Sequence, residues 1–300
     1  MESAKKKNLL ICGGSGLIGR ALSSYLQNQG FAVSILSRNR NYSGPFRSFY
    51  WNPDEDYLDP EALKNQHYLI NLSGESIAGG WLGTSRKKKI LQSRIRPLML
   101  LSKELEKLDQ KPLKLISASA VGFYGHQPNV LLTETAPAGT GYLAEVCAEW
   151  ESCLEDFKIP VATLRIGVVL SQDGGYYPKM KKILKSRINL VFGSGNQFVS
   201  WIHIDDLVRA IHFILLHPQS STVYNLCSPE PIQVASLQTL IAQQAGYKVL
   251  RINIASGIVK FLLQSLSEIF LHDQQAVPHN LLAQGFQFEL PKIEKILQKE

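Results

Sequence analysis

Hydrophobic positions along the chain follow two periods. Short, nearly unbroken apolar runs recur at residues 9–12, 31–36, 67–72, 114–119 and 161–170, and between most of them apolar residues return every third or fourth position. The short runs predict strands buried on both faces, and the longer stretches predict helices that cover them. Strand and helix in turn give an α/β fold, a doubly wound parallel sheet. A loop carrying Pro45, Pro53 and Pro60 separates the second run from the third. Thr84 to Leu108 predicts one long helix with Ile90, Leu91, Ile95, Leu98, Leu101 and Leu105 on its apolar side, which Pro97 is expected to kink or divide. That periodicity leaves Arg94 on the surface. From Thr222 the pattern predicts a short strand, a helix from Gln233 to Ala245, a strand at Lys248 to Ile254 and two apolar helical pieces ending near Leu282, so residues 1–226, with a lobe insertion at about 172–200, form the core, and 227–300 form a smaller, mostly helical C-terminal lobe on the substrate side. The apolar segment from Ile254 to Leu271 is interrupted by Lys260, Gln264 and Glu268 at helical spacing, and is expected on a core or an interface.

The first apolar run breaks into Gly13-Gly14-Ser15-Gly16-Leu17-Ile18-Gly19 and resumes as a helix. Each spaced glycine answers a separate demand. Gly13 permits a sharp turn, Gly16 lets backbone approach a pyrophosphate, and Gly19 lets the helix pack close to the strand. Because the first N–H groups of a helix lack internal partners, a diphosphate is the natural ligand, and this Rossmann-type turn predicts a dinucleotide. At the end of the second run stand Ser37 and Arg38, with no acidic residue from Phe31 to Tyr50. An arginine there suits the 2′-phosphate of NADP(H), where an acid would read the 2′-hydroxyl of NAD. Leu72, Ser73 and Gly74 end the third run and, with Val168 after Gly167, should line the cofactor channel, since ligands bind outside the carboxyl ends of parallel strands. Glu75 either contacts a ribose or substrate or caps the next segment.

Ser117 and Ser119 alternate onto one face of the fourth run, where hydroxyls are out of place unless they act or are bonded. His203 with Asp205 and Asp206 suggests a metal or a catalytic group, but the simpler reading makes one aspartate the cap of the helix at 207–216. A final helix is expected after Pro291.

The chain has 300 residues and a net charge of +7, with basic clusters at 86–89, at Arg94 and Arg96, and at 179–187. These clusters fall on helices and read as solvated faces, so no nucleic-acid partner is expected. No apolar stretch is long enough to span a bilayer, and none near the start resembles a secretory signal, which points to a cytoplasmic protein without a membrane partner. Four cysteines without C-x-x-C spacing indicate neither a disulfide framework nor a zinc site, and no metal is expected. Oligomeric state leaves no signature.

Several stretches together resemble the NAD-dependent epimerase/dehydratase superfamily of atypical short-chain dehydrogenases/reductases, in the subgroup with a C-terminal domain of unknown function. They are Gly13 to Gly19, Ser37-Arg38, Asn71-Leu-Ser-Gly-Glu75, Ser93-Arg94, Ile116 to Gly125, Leu143-Ala-Glu-Val-Cys147, Trp150-Glu151, Trp201 to Leu207 and Ala283-Gln-Gly-Phe286. The resemblance implies NADP(H) bound along Ser37, Arg38, Leu72, Ser73, Arg94 and Val168, and a small-molecule substrate between core and lobe. It also implies a catalytic serine and a Tyr-x-x-x-Lys pair. Ser119 and Tyr142 stand in those places, with Ser117 as the alternative serine, but the lysine position is Val146. Without that cation a tyrosine is a poor base, because its ordinary pKa near 10 leaves about one phenolate in a thousand at neutral pH. Three roles therefore stay open: an NADP(H)-dependent oxidoreductase or epimerase, an NADPH-binding regulator without turnover, and a nucleotide-sugar epimerase or dehydratase.

Overall fold

The computed structural model describes residues 6–77, 82–217 and 222–294. Eight strands form the main sheet: β1 (Asn8–Cys12), β2 (Ala32–Ser37), β3 (Arg47–Asn52), β4 (Tyr57–Leu58), β5 (Tyr68–Asn71), β6 (Lys114–Ala120), β7 (Val161–Ile166) and β8 (Thr222–Leu226). Their order is β8-β7-β6-β5-β1-β2-β3-β4, parallel throughout except where β4 turns back on β3. The order reverses between β5 and β2, on either side of β1, which is where doubly wound sheets bind ligands. Leu9 to Cys12 are fully enclosed between those neighbours.

Five helices position the parts that matter here: α1 (Leu17–Asn28), α2 (Thr84–Glu106), α3 (Tyr142–Ser152), α4 (Tyr176–Leu184) and α5 (Ile204–Leu216). Three expectations are corrected. The proline-bearing loop contains β3, one position in from the sheet edge, whose Phe49 and Trp51 are buried while the alternating Ser48, Tyr50 and Asn52 are half-buried. Pro97 does not divide α2, which runs unbroken past it. The run at 161–170 is two strands, because Gly167 brings its backbone against Ser200, where a Cβ would lie 2.6 Å from the carbonyl oxygen. Beyond that point Val168–Ser171 leaves the main sheet to pair with Trp201–His203.

In the lobe the strand expected at 248–254 forms at Leu250–Ile254, and the insertion supplies it with an unexpected partner. Strand Ile188–Phe192 of the insertion pairs in parallel with Leu250–Ile254 from the C-terminal part, joining two distant segments in one unit. Around this ribbon lie α4, α6 (Val234–Gln244), α7 (Ser256–Leu263) and α8 (Glu268–Leu271). Much of the segment at 254–271 is exposed, so it does not belong to a core. The expected last helix begins at 293 and otherwise lies outside the described residues. Among the described residues no helix is long and apolar enough to cross a membrane.

Candidate functional site

The glycine turn is shaped by contacts that only a missing side chain allows. Gly13 has φ +77°, and a Cβ on it would sit 2.7 Å from the Leu72 carbonyl oxygen. One on Gly14 would strike Ile35 at 2.4 Å, and one on Gly19 would lie 2.2 Å from the Gly13 oxygen. Gly16 differs: its Cβ would meet only that same oxygen, at 3.3 Å. Gly16 is also the N-cap of α1, with no side-chain cap and no acid in the first turn, so the helix end faces outward with its positive partial charge uncompensated. Exposed Ser15 accepts a hydrogen bond at its carbonyl from Arg20 Nη1 at 2.8 Å, while Leu17 and Ile18 are half-buried, Leu17 beneath Gly174 and Gly175.

Alongside Gly13, Ser73 is buried with its hydroxyl lacking any protein partner. An orphaned hydroxyl beside an uncapped helix end, in a cradle that a Cβ would narrow, fits the diphosphate of a dinucleotide. At the end of β2, Ser37 Oγ accepts from the Asn39 N–H at 3.0 Å, a local turn from which Arg38 projects into solvent.

Arg94 is a correction: it is only 8% exposed. Its guanidinium donates to Ile90 O at 2.8 Å and Glu75 O at 3.2 Å and lies over the Trp150 ring, 5.1 Å from the centroid. It packs beside Gly74, and burial lowers its pKa, opposed by Cys147, Tyr142 and Glu75. The Glu75 N–H donates to Ser93 Oγ at 2.9 Å, and its carboxylate lies 3.6 Å from Lys89. Half-buried Val168 donates its N–H to Ser200 O at 2.8 Å.

Tyr142 opens α3 after Gly141, whose φ is +104°. The free N–H groups of that helix end are met from the far lobe: Glu268 accepts from Tyr142 N at 3.1 Å and from Leu143 N at 2.9 Å. The Tyr142 hydroxyl donates to the Lys87 carbonyl at 3.1 Å, while Lys87 Nζ sits over the ring and donates to Ser265 Oγ at 2.5 Å. Burial raises the tyrosine pKa above its ordinary 10; Arg94 opposes the shift and Glu268 adds to it. Val146, at the lysine position of the Tyr-x-x-x-Lys pair, is 3% exposed in an apolar cluster with Leu82 and Ile90.

Ser119 is not joined to Tyr142. It donates at 2.6 Å to Glu151, nine residues along α3, which is about 13 Å at the helical rise. Glu151 is gripped by Arg165 at 3.0 and 2.8 Å, and Arg165 in turn donates to Tyr124 OH at 3.0 Å, which donates to Asn225 at 2.7 Å. Ser117 Oγ accepts from Asn71 Nδ2 at 3.3 Å. Both strand serines are thus bonded within the protein. Glu151, Arg165 and Glu268 went unread as site groups; the signal for the first two was an arginine amid a strand of buried residues. The capping expectation at 205–206 is also corrected. His203 caps α5, accepting from Asp205 N at 3.2 Å, and the fully buried Asp206 holds the chain end through Glu289 N and Leu290 N.

A cavity of about 790 Å³ lies between the core and the lobe, lined among others by His126, Asn196, Lys260, Ser265, Glu268 and His272. Tyr142 is not among its lining residues; Glu268, which accepts from Tyr142 N, is, as is Ser265, which accepts from Lys87. Among the described residues no His, Cys, Asp and Glu group could hold a metal ion.

Residues 9–227 match the sequence family described as the NAD dependent epimerase/dehydratase family, and 256–300 match a domain of unknown function, DUF1731. An epimerase family protein of Mycobacterium bovis is 32% identical over 281 residues, 93% of this chain and 92% of that one. Human epimerase family protein SDR39U1, crystallised with NADPH, is 25% identical with a TM-score of 0.85, covering 97% of this chain and 98% of that chain. A structure from Corynebacterium glutamicum described as a nucleoside-diphosphate sugar epimerase is 31% identical, with a TM-score of 0.77 over 99% of this chain and 58% of its own.

Proposed function

The chain belongs to the NAD dependent epimerase/dehydratase family, and from that premise we propose that it is an NADP(H)-dependent oxidoreductase or epimerase acting on a small molecule in the cavity beside Tyr142. The N–H groups at the start of α1 and the Ser73 hydroxyl hold the diphosphate, and Arg38 meets the 2′-phosphate. Leu72, Gly74, Arg94 and Val168 wall the rest of the channel. When bound, the nicotinamide supplies or accepts the hydride.

The setting of Tyr142 carries this reading. Its hydroxyl keeps its proton at neutral pH, because burial raises its pKa. It therefore acts as an acid, giving a proton to an oxygen of the substrate, and Arg94 is a nearby buried cation that eases the charge left behind. Glu268 anchors this tyrosine and lines the cavity, which ties substrate binding to placement of the acid. NADPH consumption over a panel of aldehydes and ketones, with product analysis for epimerised nucleotide sugars, tests the proposal, the expected result being turnover on at least one class that Tyr142→Phe sharply lowers.

One observation favours a second reading, an NADPH sensor. The hydroxyls of Ser119 and Tyr142 both donate within the protein, to Glu151 and to the Lys87 carbonyl. Tight NADPH binding with neither NADPH consumption nor an epimerised product across the panel would select the sensor.

A further inference from the structure

Charge in this chain is segregated. Residues 174–204 and 231–267 contain eight of the 32 Lys and Arg residues and none of the 25 Asp and Glu, leaving 24 bases against 25 acids elsewhere, so the net positive charge belongs to these two stretches. They build the same lobe: α4, α6, α7 and the ribbon of Ile188–Phe192 with Leu250–Ile254. All eight cations, Lys179, Lys181, Lys182, Lys185, Arg187, Lys248, Arg251 and Lys260, are exposed.

Large apolar side chains stand in solvent on the same lobe. The ribbon pairs Ile188 with Leu250 and Leu190 with Ile252, which puts all four on one face, and all four are exposed, Leu250 by 67%. The alternate residues Asn189 and Val191 are buried. In α7, Ile258, Phe261 and Leu262 fall at i, i+3 and i+4 and form an outward stripe, with Phe261 82% exposed while Val259 points inward.

We propose that this lobe docks on the surface of an anionic phospholipid bilayer, with Phe261, Leu262, Leu250 and Ile252 entering the interface and the lobe's exposed cations meeting headgroups. Exposed apolar side chains on segments that carry cations and no acid are what interfacial binding requires, and each cation near such a surface adds attraction. A second copy of the chain would bring one basic lobe against another. Single-stranded nucleic acid calls for aromatic stacking, and Phe261 is the single aromatic among these exposed residues. The inference is independent of the reaction proposed above.

Co-sedimentation of the full chain with phosphatidylcholine vesicles, with and without about 30% phosphatidylserine, at low and high salt, tests it. Binding is expected only with phosphatidylserine and should fall steeply with salt. The triple variant Lys182→Ala/Lys185→Ala/Arg187→Ala should lose about 100-fold in vesicle affinity, and Phe261→Ser/Leu262→Ser about tenfold or more. NADPH titration, unchanged in both, checks that the variants are folded. Absence of binding to phosphatidylserine vesicles at low salt overturns the proposal. So does equal binding to both vesicle types, or a salt-resistant dimer that Phe261→Ser/Leu262→Ser dissociates.

Discussion

The glycine turn and the tyrosine corner are both at the rim of the sheet, yet they are held in opposite ways. The turn is made of backbone alone: Gly13, Gly14 and Gly19 sit where a Cβ would lie within 3 Å of neighbouring atoms, so shape is enforced by what the residues lack. The tyrosine corner is made of side chains drawn from remote segments, with Glu268 bonding Tyr142 across 126 positions and Ser265 bonding Lys87 across 178. One is rigid because it has no alternative conformation. The other persists only while the lobe is docked, and that makes substrate chemistry, rather than cofactor binding, the part open to modulation.

Within the turn itself the largest effects should separate fold from binding. Gly19→Val forces atoms into the Gly13 carbonyl and should prevent stable folding, read as loss of a cooperative thermal transition. Gly16→Val meets only the Gly13 carbonyl oxygen, a tight contact that a small shift relieves, but it fills the cradle, so it should abolish NADPH binding in a fluorescence titration and leave the melting temperature within a few degrees. Retained affinity in Gly16→Val would show that the dinucleotide does not use this turn.

Tyr142→Phe comes next. Removing the hydroxyl should lower turnover by about 10²- to 10⁴-fold with NADPH affinity unchanged, because the group works in the transition state. The sign of the pKa shift sets the pH dependence. A hydroxyl whose pKa is raised above 10 stays protonated through neutral pH, so the reductive rate should be level from about pH 6 to 9 and fall only as the pH climbs past 10. A rate that rises from pH 6 to 8 would mean that a base, not this acid, limits the reaction.

Much of the core was legible because its determinants are local. Six of the main-sheet strands, the strand at 250–254 and the glycine turn announce themselves within a dozen residues, by apolar runs and by glycines whose roles depend on adjacent atoms. Arg94 was misread for the opposite reason: α2 periodicity puts it outward, but Gly74 and Trp150 arrive from other elements to cover it. Strand β3 hid behind prolines that in fact flank it. Glu268 had no signal at all, since nothing in an apolar helical stretch tells that its carboxylate will cap a helix 126 residues earlier. Neither Asp205 nor Asp206 is the cap expected of one of them: His203 holds the cap position, and Asp206 instead receives the N–H groups of Glu289 and Leu290.

At the adenosine end the effect should be smaller. Arg38→Ala removes a charge-assisted contact worth about 1.5 to 3 kcal/mol, so NADPH affinity should drop roughly ten- to a hundredfold while NADH affinity hardly moves. Equal affinity of the unaltered protein for both cofactors would leave Arg38 as surface charge and remove one arm of the comparison.

The smallest change should come from Glu268, and it tests the contrast most directly. Its carboxylate receives two N–H groups at the start of α3, where the helix dipole favours negative charge. Glu268→Ala deletes that cap and should cost about 1 kcal/mol in stability, whereas Glu268→Gln keeps one acceptor and should cost less. If cofactor and substrate chemistry are held separately, NADPH affinity stays constant in both variants, while turnover on an identified substrate falls several-fold in the alanine variant and recovers in part with glutamine. Should Glu268→Ala weaken NADPH binding as much as turnover, the lobe would be gripping the nucleotide as well, and the tyrosine corner and the glycine turn would form a single cooperative unit.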